Sequence, residues 1–304
     1  MAVVPTGDGN LLRYTAAEVT VLDQQGRAIG RFTNPTTKAP RGAALAMGSQ
    51  LAVAVFDDRL AVTELSGTNE PTWVALASPF PTRSASLDAD RCALVDGAGN
   101  ARVVQLPASN QLWQGKAGLG LDDVVLVVAT GAAEHVAVGR RSHDVVVQRM
   151  DYRRGDGLVA AETTIRDMNV LGAAGHAGGA LFLAGLREVS AASTRGALVQ
   201  YFVLVRVDLA TFRTEVLQDE KCAALETRVM DLAVGPEMLA VVLEQYKRGT
   251  SLRVFDQVQG RRPATWAFER KIAPGSSIAW ISPDYVAVVG PDGETQVLHA
   301  VSDR

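Results

Sequence analysis

Four histidines and two cysteines are the side chains in this 304-residue chain best suited to metal binding or nucleophilic chemistry. Their spacing argues against both. His135, His143, His176 and His299 all lie more than four positions apart, and no CxxC or HxxxH occurs. A zinc site draws its ligands mostly from closely spaced pairs, so no metal is expected. Cys92 and Cys222 are 130 positions apart and read as free thiols of a reducing compartment. There is no GxSxG elbow, and no Ser or Cys has a patterned His nearby. The glycines of DGAGN (96–100) and GPDGE (290–294) are turn chemistry. No GxxxxGK[ST] follows a strand, so no phosphate loop and no cofactor is expected.

Charged residues offer two further patterns. Asp8, Asp88, Asp90 and Asp284 fall in equivalent turns of a repeat described below. Converging carboxylates could bind a cation or a polar ligand. The simpler reading is turn Asp satisfied by its own backbone, because three of the repeats lack an Asp there. His176 aligns with the same turn, and His143 sits in the hairpin turn RRSHD. The second pattern is GRRSHDVVVQRMDYRRGD (139–156). Arg140, Arg141, Arg149, Arg153 and Arg154 outnumber Asp144, Asp151 and Asp156, a local charge of +2. It could face an acidic partner, or be a solvated surface. Arg154-Gly155-Asp156 spells a cell-adhesion tripeptide. It reads as coincidence, because the N-terminus MAVVPTGDGN lacks the pattern of a secretory signal.

Composition bounds the classes of function. A hydrophobic content of 47% with 21% charged residues suits a large core and argues against disorder. A net charge of −3 gives no basic field for nucleic acid. No apolar run reaches the roughly 18 residues needed to cross a bilayer. A cytoplasmic, soluble protein is the expectation.

The elements that must position these residues recur. MGSQLAVAVFDDRLAVTEL (47–65) reads as two Val- and Ala-rich strands around the turn Asp57-Asp58. Its pattern returns along the chain. Taking the first apolar residue of each second strand gives Leu11, Leu51, Cys92, Val136, Ala180, Leu239 and Val286. Their separations are 40, 41, 44, 44, 59 and 47. Four-stranded propeller blades recur about every 40–50 residues. Val-rich runs bounded by Gly, Asp and Ser favour strands over helices of similar period. Phe32, Trp73, Trp113, Phe212 and Trp266 are expected on fourth strands, where they would fill the wedge between twisted sheets.

The prediction is an all-β, seven-bladed β-propeller of four-stranded antiparallel blades, one domain over 1–304. Blades start near 1, 42, 84, 124, 168, 229 and 276. Six or eight blades are the alternatives, and even spacing argues against two stacked β-domains. The last unit lacks a fourth strand, so Ala2-Val3-Val4 should close the ring. It would do so either as that fourth strand or as the inner strand of the first blade. Unit five is irregular: a long hairpin around SAASTRG (190–196) should project.

At the level of architecture the repeat resembles WD40/quinoprotein-like β-propellers. The Trp-Asp ending and Gly-His opening of WD40 units are absent, so no family site residue transfers. Compact divergent propellers of this kind are similar to those encoded in bacterial multi-gene systems beside AAA+ ATPases and von Willebrand A-type proteins. That resemblance implies an adaptor role. The reading is a non-catalytic scaffold that binds another protein, as part of a multi-subunit complex. Contacts are expected through Arg187, Glu188, Ser193, Thr194 and Arg195 of the long hairpin, then through Arg140, Arg141, Arg153 and Arg154. The alternative is an enzyme or small-ligand sensor at a central channel mouth.

Overall fold

The computed structural model of the chain describes residues 2–6, 10–23, 25–45, 51–65, 70–108, 110–131, 133–153, 157–190, 198–222, 226–235, 238–256, 268–282, 285–292 and 294–299. Every element among them is a strand. The strands form seven antiparallel sheets in chain order.

The first sheet holds β1 (Ala2–Pro5), β2 (Leu11–Tyr14), β3 (Glu18–Leu22) and β4 (Ala28–Thr33). The second holds β5 (Gly42–Leu45), β6 (Leu51–Val55), β7 (Arg59–Glu64) and β8 (Thr72–Ala75). The third holds β9 (Thr82–Asp88), β10 (Arg91–Asp96), β11 (Asn100–Gln105) and β12 (Asn110–Lys116), and the fourth β13 (Asp123–Ala129), β14 (Glu134–Arg141), β15 (Asp144–Asp151) and β16 (Leu158–Ile165). The fifth holds β17 (Val170–Ala177), β18 (Ala180–Ser190), β19 (Leu198–Asp208) and β20 (Thr214–Lys221). The sixth holds β21 (Thr227–Val234), β22 (Met238–Gln245), β23 (Gly249–Asp256) and β24 (Phe268–Ile272). The seventh shows three strands among the described residues: β25 (Ser277–Ser282), β26 (Tyr285–Val289) and β27 (Thr295–His299). This is the seven-bladed β-propeller that the repeat predicts. The N-terminal strand takes the second of its two expected places. It pairs with β2, Ala2 opposite Tyr14 and Pro5 opposite Leu11, as the first strand of the first sheet.

Contacts group the chain into two compact units, residues 1–139 with 148–162 and residues 140–147 with 163–304. In both, the core lies between successive sheets. Second and third strands are buried on both faces, which is why they read as continuous Val, Ala and Leu rather than as alternation. Each fully buried Val or Leu contributes roughly 1.5–3 kcal/mol. In the first unit, Leu12, Tyr14, Ala54 and Phe56 cluster between sheets one and two. In the second, Phe202, Leu204, Val241 and Phe255 cluster between sheets five and six.

Fourth strands carry most of the predicted wedge aromatics. Trp73 on β8 meets Tyr14 edge-on at 6.3 Å and Phe56 at 5.4 Å. Trp113 on β12 meets His135 at 4.7 Å and Tyr152 at 4.3 Å. Phe32 on β4 packs against the same core as Trp73. Phe212 departs from the prediction. It lies in the turn before β20 with φ of 58°, and Leu217 is the buried residue of that strand. The long hairpin had displaced the count. Trp266 lies outside the described residues. His176 departs too: it is on β17, opposite Leu181, and the turn is Gly178-Gly179, both at positive φ.

Candidate functional site

The carboxylates suggested for a ligand ring are tied up locally where they are described. Arg91 reaches Asp88 at 3.8 Å, and the Gln105 amide donates to Asp90 at 2.8 Å. Asp8 and Asp284 lie outside the described residues. Arg41 forks onto Asp57 through two bonds of 2.9 Å and holds its carboxyl below the usual range, while Arg59 pairs with Asp58 at 3.2 Å. No group of three His, Cys, Asp or Glu among the described residues could hold a metal.

The histidines and cysteines are equally occupied. His135 packs beside Trp113 and Tyr152, whose rings also meet each other at 4.3 Å, and it stacks on Tyr152 at 5.0 Å. Its Nε2 lies 2.7 Å from the Ala117 carbonyl, which can only accept, so that nitrogen carries the proton. Burial pushes its pKa down to about 4. His143 is exposed in its turn. Cys92 is buried and its thiol pushed up to about 12, and Cys222 is half-buried and also raised by burial. Neither is a ready nucleophile.

The basic cluster resolves into separate settings. Arg153 holds Asp151 through a bidentate contact and reaches Glu134 at 2.8 Å. Arg140 and Arg141 end β14, where Arg140 donates to the Ser142 carbonyl at 3.4 Å. Arg154 lies outside the described residues.

The hairpin of the fifth sheet has more structure. β18 and β19, 11 residues each, are the longest strands among the described residues. They pair without a break from Ala180 opposite Asp208 to Ser190 opposite Leu198. Its base is latched on both faces. On one, Arg187 binds both oxygens of Asp219, at 2.8 and 2.6 Å, and lies 4.6 Å over the Tyr201 ring. On the other, the Gln200 amide donates to Glu188 at 2.8 Å, and Gln200 Oε1 accepts the Thr227 backbone N–H at 2.7 Å. Asn169 brackets the Glu188 backbone, accepting its N–H at 2.8 Å and donating to its carbonyl at 3.1 Å. Ser193, Thr194 and Arg195 lie outside the described residues.

Beside this base the second unit holds a cavity of about 530 Å³. One wall is Val170, Leu171, Gly172, Leu186, Glu188 and Gln200. The other is the start of the sixth sheet, Glu226 to Met230. Both walls carry a β-bulge. The register skips Gly172 between Leu171 and Ala173, and Met230 between Val229 and Asp231. A bulge leaves one residue out of the ladder and re-aims it, and bulges collect beside binding sites. Gly172 is required for the approach: a Cβ there would come within 2.4 Å of Val229 Cβ. Sequence reading named Glu188 but missed Glu226, Thr227, Arg228 and Met230. The available signal was the glycines of the strand VLGAAGHA, Gly172 and Gly175, since glycine inside a strand marks a bulge or a close backbone approach.

Comparison with solved structures settles the architecture. The β-propeller domain of Cps50 (Swd1) from Myceliophteria thermophila superposes with a TM-score of 0.64. The match covers 99% of this chain and 96% of that one, at 11% identity. The fold is that of a WD40-like β-propeller. The Pan2 WD40 domain of Neurospora crassa gives a TM-score of 0.62 at 11% identity, over 100% of this propeller and 89% of that chain. A chain of the Mitotic Checkpoint Complex gives 0.63 at 10% identity, covering 98% and 86%. No family model matches the propeller's sequence, and a search of curated proteins finds no match either.

Proposed function

We propose that this propeller is a non-catalytic scaffold that binds another protein, and that it does so through the hairpin of the fifth sheet. The observation that carries this is the latched extension of β18 and β19. Ordering a hairpin this long costs chain entropy. Its base is held by Asn169, Gln200 and Asp219, while Val189 and Leu198 near its end are 43% and 50% exposed. A rigid element that offers aliphatic side chains to solvent suits recognition, because little further ordering is needed on binding. Propeller folds commonly serve protein assembly, and one similar structure is a chain of the Mitotic Checkpoint Complex.

The test is affinity purification from the native host. The full chain is compared with a variant in which residues 189–199 are replaced by Asn-Gly, which removes Val189 and Leu198. That dipeptide can join the paired Glu188 and Gln200 in a two-residue turn. Loss of the co-purifying partners is the expected result. An unchanged partner set removes the hairpin from the account.

A further inference from the structure

The cavity beside the hairpin has unmet chemistry of its own. Its floor is aliphatic, from Val170, Leu186 and Val229. Glu188 and Glu226 carry carboxylates that form no ion pair among the described residues, against one guanidinium from Arg228. The lining is therefore net negative by one charge.

The shape argues for a chain rather than a small molecule. Side chains two apart in a strand share a face. Leu198 therefore continues the surface on which Gln200 lines the cavity. On the far wall Met230 is 48% exposed at its bulge. The apolar surface thus runs out of the cavity in both directions. A compact ligand would leave those side chains wet, whereas an extended peptide covers them. The walls are already set by the Gln200 bridge and by the tight packing of Gly172 on Val229.

We infer that this cleft binds an extended segment of a partner protein in which an apolar residue stands next to a Lys or Arg. The apolar side chain packs against Met230 at the mouth of the cleft. The basic side chain meets Glu226 and Glu188. The inference deepens the scaffold reading and rests on it.

A phage-displayed random 12-residue peptide library, panned on the purified full chain, supplies the probe. Enriched sequences should share an apolar residue adjacent to Lys or Arg. A fluorescein-labelled synthetic peptide of the enriched sequence should bind the chain by anisotropy. Glu226→Lys and Met230→Glu should each weaken that binding about tenfold or more, while Arg228→Gln should not weaken it. All three positions are exposed, and unchanged thermal midpoints of the variants confirm folding. Enrichment of acidic sequences, failure to enrich any sequence, or binding that survives both Glu226→Lys and Met230→Glu would overturn the inference. Partner loss on shortening the hairpin is a separate readout. If it is seen without peptide enrichment, the scaffold reading stands and the cleft does not.

Discussion

His135 is a buried base with a single role, and its protonation should be visible in stability. It packs in a cluster with the Trp113 and Tyr152 rings and donates to the Ala117 carbonyl. Its folded pKa is about 4, against 6.5 for the free side chain. The depressed value means that the unfolded chain takes up the proton first. Stability contributed by the neutral ring is intact above pH 6.5, falls as pH drops below it, and is gone near pH 4. A shift of this size corresponds to a few kcal/mol, on the order of 3, since each unit is about 1.4 kcal/mol. Carboxylates titrate in the lower part of that window, so the comparison must be with a variant. His135→Gln keeps a donor for Ala117 and removes the titration. Urea midpoints at pH 7.5 and 5.5 should differ clearly for the natural chain and by much less for the variant. Equal pH slopes would show that His135 is not the titrating group.

At the scale of the element, the fourth strands separate what was legible from what was not. Trp73 was placed correctly because its strand follows a hairpin of ordinary length, and it packs on Tyr14 and Phe56. Trp73 is half-buried against that core, so Trp73→Ala should cost about 2–3 kcal/mol. Phe212 was misplaced because the long hairpin puts it 32 residues after its anchor, where Trp73 lies 22 after its own, and it stands in a turn. Phe212→Ala should stay within about 1 kcal/mol. Guanidinium unfolding of both variants measures this contrast, and similar losses would contradict the assignment. The strands themselves were readable because their Val, Ala and Leu runs are buried on both faces. The cleft was not. A bulge at Met230 or Gly172 leaves the period of the sequence intact to within one residue, yet it turns a side chain out of the ladder. Only the partner strand shows the skip. Glu226 and Thr227 likewise look like turn and strand residues until Gln200, 27 positions away from Thr227, is seen to bond to that strand.

At the scale of the whole molecule, seven copies of one antiparallel motif imply a repeated pattern of local stability. Second strands such as β10, β18 and β22 have a neighbour on each side, and their side chains are buried between sheets. Fourth strands such as β12 and β20 pair on one side only, and apart from Leu217 their residues are exposed or half-buried. Opening a fourth strand breaks one ladder and uncovers little apolar surface, whereas opening a second strand breaks two ladders and uncovers the core on both faces. Hydrogen exchange follows the free energy of such openings. Deuterium uptake read by mass spectrometry should therefore rise and fall about every 40–50 residues along the chain, the spacing of propeller blades. Peptides from second strands should exchange at least about tenfold more slowly than those from the fourth strand of the same sheet. The fifth sheet should break the rhythm. The cavity-side end of β18, from Glu188 to Ser190, extends past the cover of neighbouring sheets and should exchange faster than Leu181 to Leu186 of the same strand, which are buried. Uniform protection along β18, or fourth strands as slow as second strands, would mean that each sheet opens as one unit and that the burial pattern does not govern its local stability.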